Sequence, residues 1–185
     1  MCLIMDGSVS KSELALLNAG FAVLSRNPGA SLVEVAEAAG VGRATLHRYY
    51  SSRADLLSAL ARYAMRELEE AASAATEDAQ SYCDALRLVM GAIIPLAHRH
   101  MFLTQENLQD PDLAEALARQ AQGLRDLIDA AKKEGALSDE LPTEWVAQAY
   151  DHLIYAAWMM IQREEATPRQ AVGLAWTQFS KGAGT

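Results

Sequence analysis

The chain has 185 residues and a formal net charge of −8, and 51% of its residues are hydrophobic. This length and apolar content support one large domain or two small ones with a substantial core, and they argue against a wholly disordered chain. The acidic total disfavours general binding to polyanions, but a local basic surface is still possible because charges act over about 8 Å in physiological salt.

Capping patterns indicate where the first helices begin. Ser10–Glu13 and Ser31–Glu34 both have the S-x-x-E pattern, in which serine and glutamate each satisfy a free backbone N–H. Apolar residues recur at helical spacing behind the first pattern, and Asn27–Gly29 ends that helix. The second pattern opens a short helix that ends at Gly40, and a third helix covers about residues 42–50.

The remaining chain is helical in pattern as well. Ser52–Asp55 resembles a further capping box, and prolines just inside three later segments (Pro111, Pro142 and Pro168) are typical of helix starts. No segment alternates in the manner of a strand. We therefore predict an all-α protein of about nine helices, with a three-helix helix-turn-helix domain over residues 1–55 and a larger helical domain over residues 56–185.

Residues 31–50 form the motif that indicates a function. Two short helices meet at the tight turn Ala39–Gly42, where glycine lets the chain bend without a Cβ clash, so the pattern is a helix-turn-helix. The second helix of such a motif fits the major groove, about 12 Å wide, and reads bases from its first turn. The shape also occurs in helical proteins that bind no DNA, so by itself it leaves a purely structural role open.

The segment "SLVEVAEAAGVGRATLHRYYSSRADLLSAL" resembles the DNA-binding domain of TetR-family transcriptional regulators. It has that family's turn in Gly40–Gly42, its core positions in Thr45–His47, its aromatic pair in Tyr49–Tyr50 and a basic residue in Arg53. The resemblance covers about residues 10–65. It implies a repressor that binds a pseudo-palindromic, double-stranded DNA operator and is released by a small apolar or aromatic effector.

By their positions in the family's motif, nine residues are expected to contact DNA. Residues in the first turn of the third helix are expected to face the bases, and the remaining residues of this set are expected to hold phosphates, although Arg48 could do either. Tyr50 matches a core aromatic of the family and is therefore left out of the DNA contacts. The nine are Ser31, Arg43, Ala44, Thr45, His47, Arg48, Tyr49, Ser52 and Arg53.

Four features depart from the family's pattern. Gly42 replaces a serine cap, which should weaken the helix start by a few tenths of a kcal/mol at most. His47 replaces a tyrosine that contacts phosphate, and Arg53 replaces a lysine. The N-terminal arm carries only Lys11, which disfavours strong DNA contact from the arm.

For residues 56–185 the resemblance implies an effector pocket and a homodimer formed through helices at about 143–163 and 168–180. Both helices are apolar nearly all round, so each needs cover on two sides, from a partner or from a monomer's own core. No cluster of buried positive charge is evident, which disfavours a strongly anionic effector. The candidate pocket residues, each of which could instead be core, are Met90, Phe102, Trp145, Tyr155, Trp158 and Met159.

Other functional classes have weaker support. The alternatives are a metal-dependent hydrolase using His98, His100 and Glu106, or a helical interaction protein without DNA binding. Histidines two residues apart do not share a helix face, and nucleophile, phosphate-loop and metal-ligand motifs are missing. We expect no catalytic residue, metal or cofactor, and either histidine is better placed near a helix C-terminus or as a polar group lining a pocket.

The location is also constrained by composition. Two cysteines, Cys2 and Cys83, are too few for a disulfide framework. The longest apolar run, Leu153–Ile161, has nine residues, and a membrane-spanning helix needs about 20. We expect a cytoplasmic protein with no membrane partner.

His47 generates a prediction about pH. A histidine that contacts phosphate attracts it more strongly once protonated, so operator affinity at fixed salt should rise as the pH is lowered from about 8 to about 6. The affinity can be measured by fluorescence anisotropy with labelled operator DNA, and His47→Gln should remove most of the rise. A flat wild-type profile over that range would contradict the assignment.

Overall fold

The computed structural model describes residues 10–105 and 110–185, and this part of the chain contains nine α-helices and one 3-10 helix, Ile94–Leu96. It confirms the predicted all-α fold of about nine helices. The α-helices are α1 Lys11–Leu24, α2 Leu32–Ala38, α3 Arg43–Tyr49, α4 Arg53–Thr76, α5 Tyr82–Ile93, α6 Ala97–Gln105, α7 Pro111–Lys133, α8 Thr143–Gln162 and α9 Pro168–Ala183.

The chain forms two compact units, one ending at Tyr63 and the other beginning at Ala64. The division falls inside α4, so this helix contributes residues to both units. The domain boundary predicted at residue 55 lies near the start of the same helix.

The first unit is built around α1. Leu16, Leu17 and Phe21 are buried, whereas Leu14 is 37% exposed. Gly20 allows α4 to approach closely, because a Cβ at this position would lie 3.1 Å from both methyl carbons of Leu60. A side chain at this position would require Leu60 to move by a few tenths of an ångström.

The turn between α2 and α3 depends on small residues. Gly40 has φ of 65°, a left-handed conformation that costs an ordinary L-residue about 1–2 kcal/mol. The Val41 N–H donates to the Ala36 carbonyl over 3.0 Å, which closes the turn against the end of α2. Ala36 is 1% exposed and Leu46 of α3 is fully buried, so the two helices pack closely.

Capping bonds fix where the helices around this turn begin. The Ser31 N–H donates to Glu34 Oε2 over 2.7 Å and the Glu34 N–H donates to Ser31 Oγ over 3.3 Å, a complete capping box. Ser52 and Asp55 exchange equivalent bonds of 3.0 and 3.1 Å at the start of α4. These local bonds set the ends of the segment that contains α3.

The second unit has its own core. Tyr150 of α8 donates its hydroxyl to the Leu86 carbonyl of α5 over 2.7 Å, and its ring meets Phe179 of α9 edge to face with centroids 5.3 Å apart. The buried Lys132 of α7 donates to Thr143 Oγ1 over 3.1 Å, which joins α7 to the start of α8. Helices α5, α7, α8 and α9 are therefore held together by polar as well as apolar contacts.

None of the helices in the described ranges is long and apolar enough to cross a membrane.

Candidate DNA-binding surface and effector cavity

Helix α3 presents the predicted base-reading residues at its first turn. Arg43 and Ala44 are exposed and Thr45 is half-buried, while Leu46 is fully buried in the core. The N-cap residue Gly42 has no side chain, so no capping side chain covers the first turn of α3. This face can therefore approach a DNA groove without rearrangement of the three-helix unit.

The end of α3 is attached to the start of α1 through Tyr49. The Tyr49 hydroxyl and Ser10 Oγ lie 2.8 Å apart in a hydrogen bond, although 39 residues separate them in sequence. The Arg48 guanidinium lies 5.2 Å from the centroid of the Tyr49 ring, within cation–π distance. The Ser10 bond, followed by the Arg48 contact, lowers the pKa of Tyr49. Arg48 and Tyr49 together give this surface a cation beside a polarised hydroxyl.

Tyr50 points the other way. It is 4% exposed, and within the described residues its buried hydroxyl has no hydrogen-bond partner. Burial raises the pKa of Tyr50 well above its usual range, so the phenol is neutral. Its position agrees with a core role and with its exclusion from the DNA contacts.

Besides Tyr49, three of the predicted phosphate contacts already have partners within the protein. Ser31 Oγ donates to Glu34 Oε2 over 2.8 Å, and hydrogen bonds from Ser31 lower the pKa of Glu34, which leaves a negative charge beside that serine. Ser52 Oγ accepts the Asp55 N–H, and Arg53 Nη2 donates to the Pro28 carbonyl. These side chains position the backbone of the motif, and a DNA contact would have to share or exchange their bonds.

The second unit contains a cavity of about 450 Å³. It lies among α5, α7 and α8, and α4 and α6 complete it with Ala72 and His100. Its volume is within the range of small-molecule sites. Most of its wall is aliphatic, and the larger apolar contributors are Val89, Ile93, Leu117, Leu124, Leu127 and Ile154.

The polar groups of this cavity are few. The Tyr150 hydroxyl is bound to the Leu86 carbonyl, which leaves Gln120, His100 and Asp151. Burial lowers the pKa of His100 and raises the pKa of Asp151. His100 and Asp151 also line a second cavity of about 440 Å³ that includes Gln148, Met101, His152 and Tyr155.

Helix α6 connects this cavity to α4. Arg99 is 7% exposed, and its Nε donates to Glu67 Oε2 over 2.7 Å. The next residue, His100, lies in the cavity wall. Two adjacent residues of α6 thus contact the cavity and α4, so a displacement of α6 would change both contacts.

The six predicted pocket residues do not line one common cavity. Trp145 is 66% exposed and lines a third cavity, of about 300 Å³, between α8 and α9. Tyr155 lines the second cavity, and Met90 and Phe102 are buried core residues that line none of the three. Trp158 and Met159 are half-buried and also line none of them. The sequence argument selected aromatic and methionine side chains, whereas aliphatic side chains form most of the wall of the 450 Å³ cavity.

The hydrolase alternative rests on His98, His100 and Glu106. Glu106 lies outside the described residues. Within residues 10–105 and 110–185, no three His, Cys, Asp or Glu side chains are grouped so that they could hold a metal ion.

Comparison with known proteins is consistent with this arrangement. Residues 16–60 match the family described as bacterial regulatory proteins, tetR family. The chain is 32% identical to the HTH-type transcriptional repressor LfrR of Mycolicibacterium smegmatis, covering 97% of this chain and 94% of that protein. A crystal structure of the TetR-like regulator LfrR in complex with proflavine superposes with a TM-score of 0.75 at 30% identity, covering 95% and 99% of the two chains.

The fold also extends to more distant proteins. The ketosteroid transcriptional regulator KstR2 of Mycobacterium tuberculosis has a TM-score of 0.77, covers 97% of each chain and is 14% identical. At that identity the likeness concerns the fold alone.

The two adjacent tyrosines of α3 provide a matched pair of substitutions. If the Tyr49 hydroxyl contacts a phosphate, Tyr49→Phe should weaken operator binding by about 1 kcal/mol, roughly fivefold. Tyr50→Phe should leave operator binding unchanged and should raise the free energy of unfolding, because it removes a buried hydroxyl with no partner.

Anisotropy titrations and urea denaturation measure the two quantities. Equal operator affinity for Tyr49→Phe and the wild type would remove Tyr49 from the DNA contacts, and weaker binding by Tyr50→Phe would contradict its core role.

Proposed function

The chain belongs to the TetR family of bacterial regulatory proteins, and from that premise we propose that it is a cytoplasmic repressor that leaves a pseudo-palindromic operator when a small apolar or aromatic molecule binds. The observation that carries this proposal is the first turn of α3, which is exposed on a closely packed helix-turn-helix unit. The wider chain is acidic, but residues 40–54 contain three arginines and no carboxylate. A local basic surface is what a protein of net negative charge needs to bind DNA.

Arg43 is the strongest candidate for reading bases. It is exposed at the first position of α3, and arginine binds the O6 and N7 atoms of guanine in the major groove with two hydrogen bonds. His47, Arg48 and Tyr49 follow along the same helix and are suited to the flanking phosphates. Ser31, Ser52 and Arg53 are proposed to support these contacts while they hold the motif together.

We propose a homodimer formed through α8 and α9. Apolar side chains are exposed on both helices, with Trp145 at 66%, Leu174 at 54% and Tyr155 at 40%. Cover from the same helices of a second copy would form a symmetric interface in which each patch meets its equivalent. Two copies of α3 would then read half-sites about 34–36 Å apart, or a multiple of that distance.

The 450 Å³ cavity is the proposed effector site. LfrR, which matches nearly the whole chain, has been crystallised in complex with proflavine. That complex supports the proposal of an aromatic effector. An effector that contacts the cavity wall at His100 would act on α6 and, through Arg99 and Glu67, on α4. Because α4 begins at Arg53, directly after the DNA-binding motif, effector and operator would oppose each other, by typically about 1–3 kcal/mol.

The proposal is tested by selecting operator fragments from the source genome and measuring their binding. Arg43→Ala should lower operator affinity by about 1–3 kcal/mol and relax the preference at one base position in each half-site. Arg119→Ala removes the same charge from an exposed position of α7 and should change affinity little. Failure to enrich any fragment, or equal losses for the two variants, would contradict the proposal.

A further inference from the structure

Resting on the proposed function, we propose that the effector is an organic cation with an apolar body, and that Asp151 in the wall of the 450 Å³ cavity binds its positive charge. The inference extends the proposed function by specifying the charge of the ligand and the residue that recognises it.

The charge balance of the cavity is the first support. No lysine or arginine is among its lining residues in the described part of the chain. Asp151 and His100 are its ionisable groups apart from Tyr150, whose hydroxyl donates to the Leu86 carbonyl. The cavity therefore offers one carboxylate and no fixed positive charge, which disfavours an anionic ligand.

The state of Asp151 is the second support. It is half-buried, and no hydrogen bond or ion pair occupies its carboxylate within the described residues. The charged or titratable groups that act on it are His100 from α6 and His152 and Glu144 from its own helix. Burial raises the pKa of Asp151, as expected for a carboxylate that has lost water without gaining a full counter-charge.

The neighbouring basic groups do not supply that counter-charge. Burial lowers the pKa of His100, so this imidazole is mostly neutral at physiological pH. Arg99, the next residue, is bound to Glu67 by an ion pair of 2.7 Å. A cationic ligand would compensate Asp151, whereas a neutral ligand would cover the carboxylate and leave it unpaired, which is costly in an apolar site.

The walls and the position of Asp151 fit such a ligand. Aliphatic side chains of α5 and α7 surround most of the cavity and would cover an apolar body. Asp151 and His100 line the second cavity as well, so they lie in the wall that the two cavities share. A cation in either cavity could reach the same carboxylate.

The test uses two ligands of nearly the same shape. Proflavine carries a positive charge on its acridine ring at neutral pH, whereas unsubstituted acridine is neutral there. Isothermal titration calorimetry of the full chain without DNA measures the dissociation constant of each. The variants are Asp151→Asn and, as a control, Asp139→Asn, which removes the same charge from an exposed turn outside the three cavities.

The wild type should bind proflavine more tightly than acridine. Asp151→Asn should weaken proflavine by about tenfold or more and leave acridine equal or tighter, because the lost interaction is a buried charge-assisted one. Asp139→Asn should change neither ligand.

Three results would overturn the inference: no proflavine binding by the wild type, equal or tighter binding of acridine, or an Asp151→Asn variant that loses both ligands equally while its circular dichroism stays native. If that variant does not fold, the wild-type preference between the two ligands still decides. Operator binding by the same wild-type sample separates the proposed repressor function from the proposed cationic effector. If the wild type binds its operator and any of these three results is found, only the assignment of a cationic effector to Asp151 is rejected.

Discussion

The packing of α3 against α2 is the constraint on which the DNA-binding surface depends. Gly40 adopts φ of 65°, and Ala36 is 1% exposed beneath the turn. Leu46 is fully buried on the inner side of α3, and Arg43, Ala44 and His47 are exposed to solvent. A bulkier residue at Ala36 or a side chain at Gly40 would therefore change the direction of the whole reading face rather than one contact.

Local chemistry explains how much of this could be predicted from the sequence. The capping boxes, the glycine turn and the prolines at helix starts involve residues within four positions of each other, so their patterns are visible in the sequence and located most helix starts. The bond between Ser10 and Tyr49 spans 39 residues, and the Arg99–Glu67 pair spans 32, so no local pattern indicates them. The aliphatic cavity was missed for a related reason: leucine, valine and isoleucine form cores and pockets alike, and only the fold decides which.

In the proposed mechanism, helix α6 links effector binding in the second unit to α4. One of its residues lies in the cavity wall and the preceding one is bound to α4, so a ligand that displaces α6 must strain or move a partly buried ion pair. Separating the two partners would deprive Arg99, which is 7% exposed, of the Glu67 counter-charge. Movement of α6 and α4 together is the less costly response, which is how binding in an apolar cavity could alter a helix that begins beside the DNA-binding motif.

The most direct test of the account is the geometry of the operator. Two α3 helices related by a dimer axis must meet the same face of the duplex, so the affinity should depend on the rotation between half-sites. Inserting about five base pairs, half a helical turn, between the half-sites of a selected operator should reduce affinity to near that of a single half-site. Insertion of about ten should restore part of it. Equal affinity for the native spacing and the half-turn insertion would contradict a dimeric repressor whose two α3 helices bind one operator together.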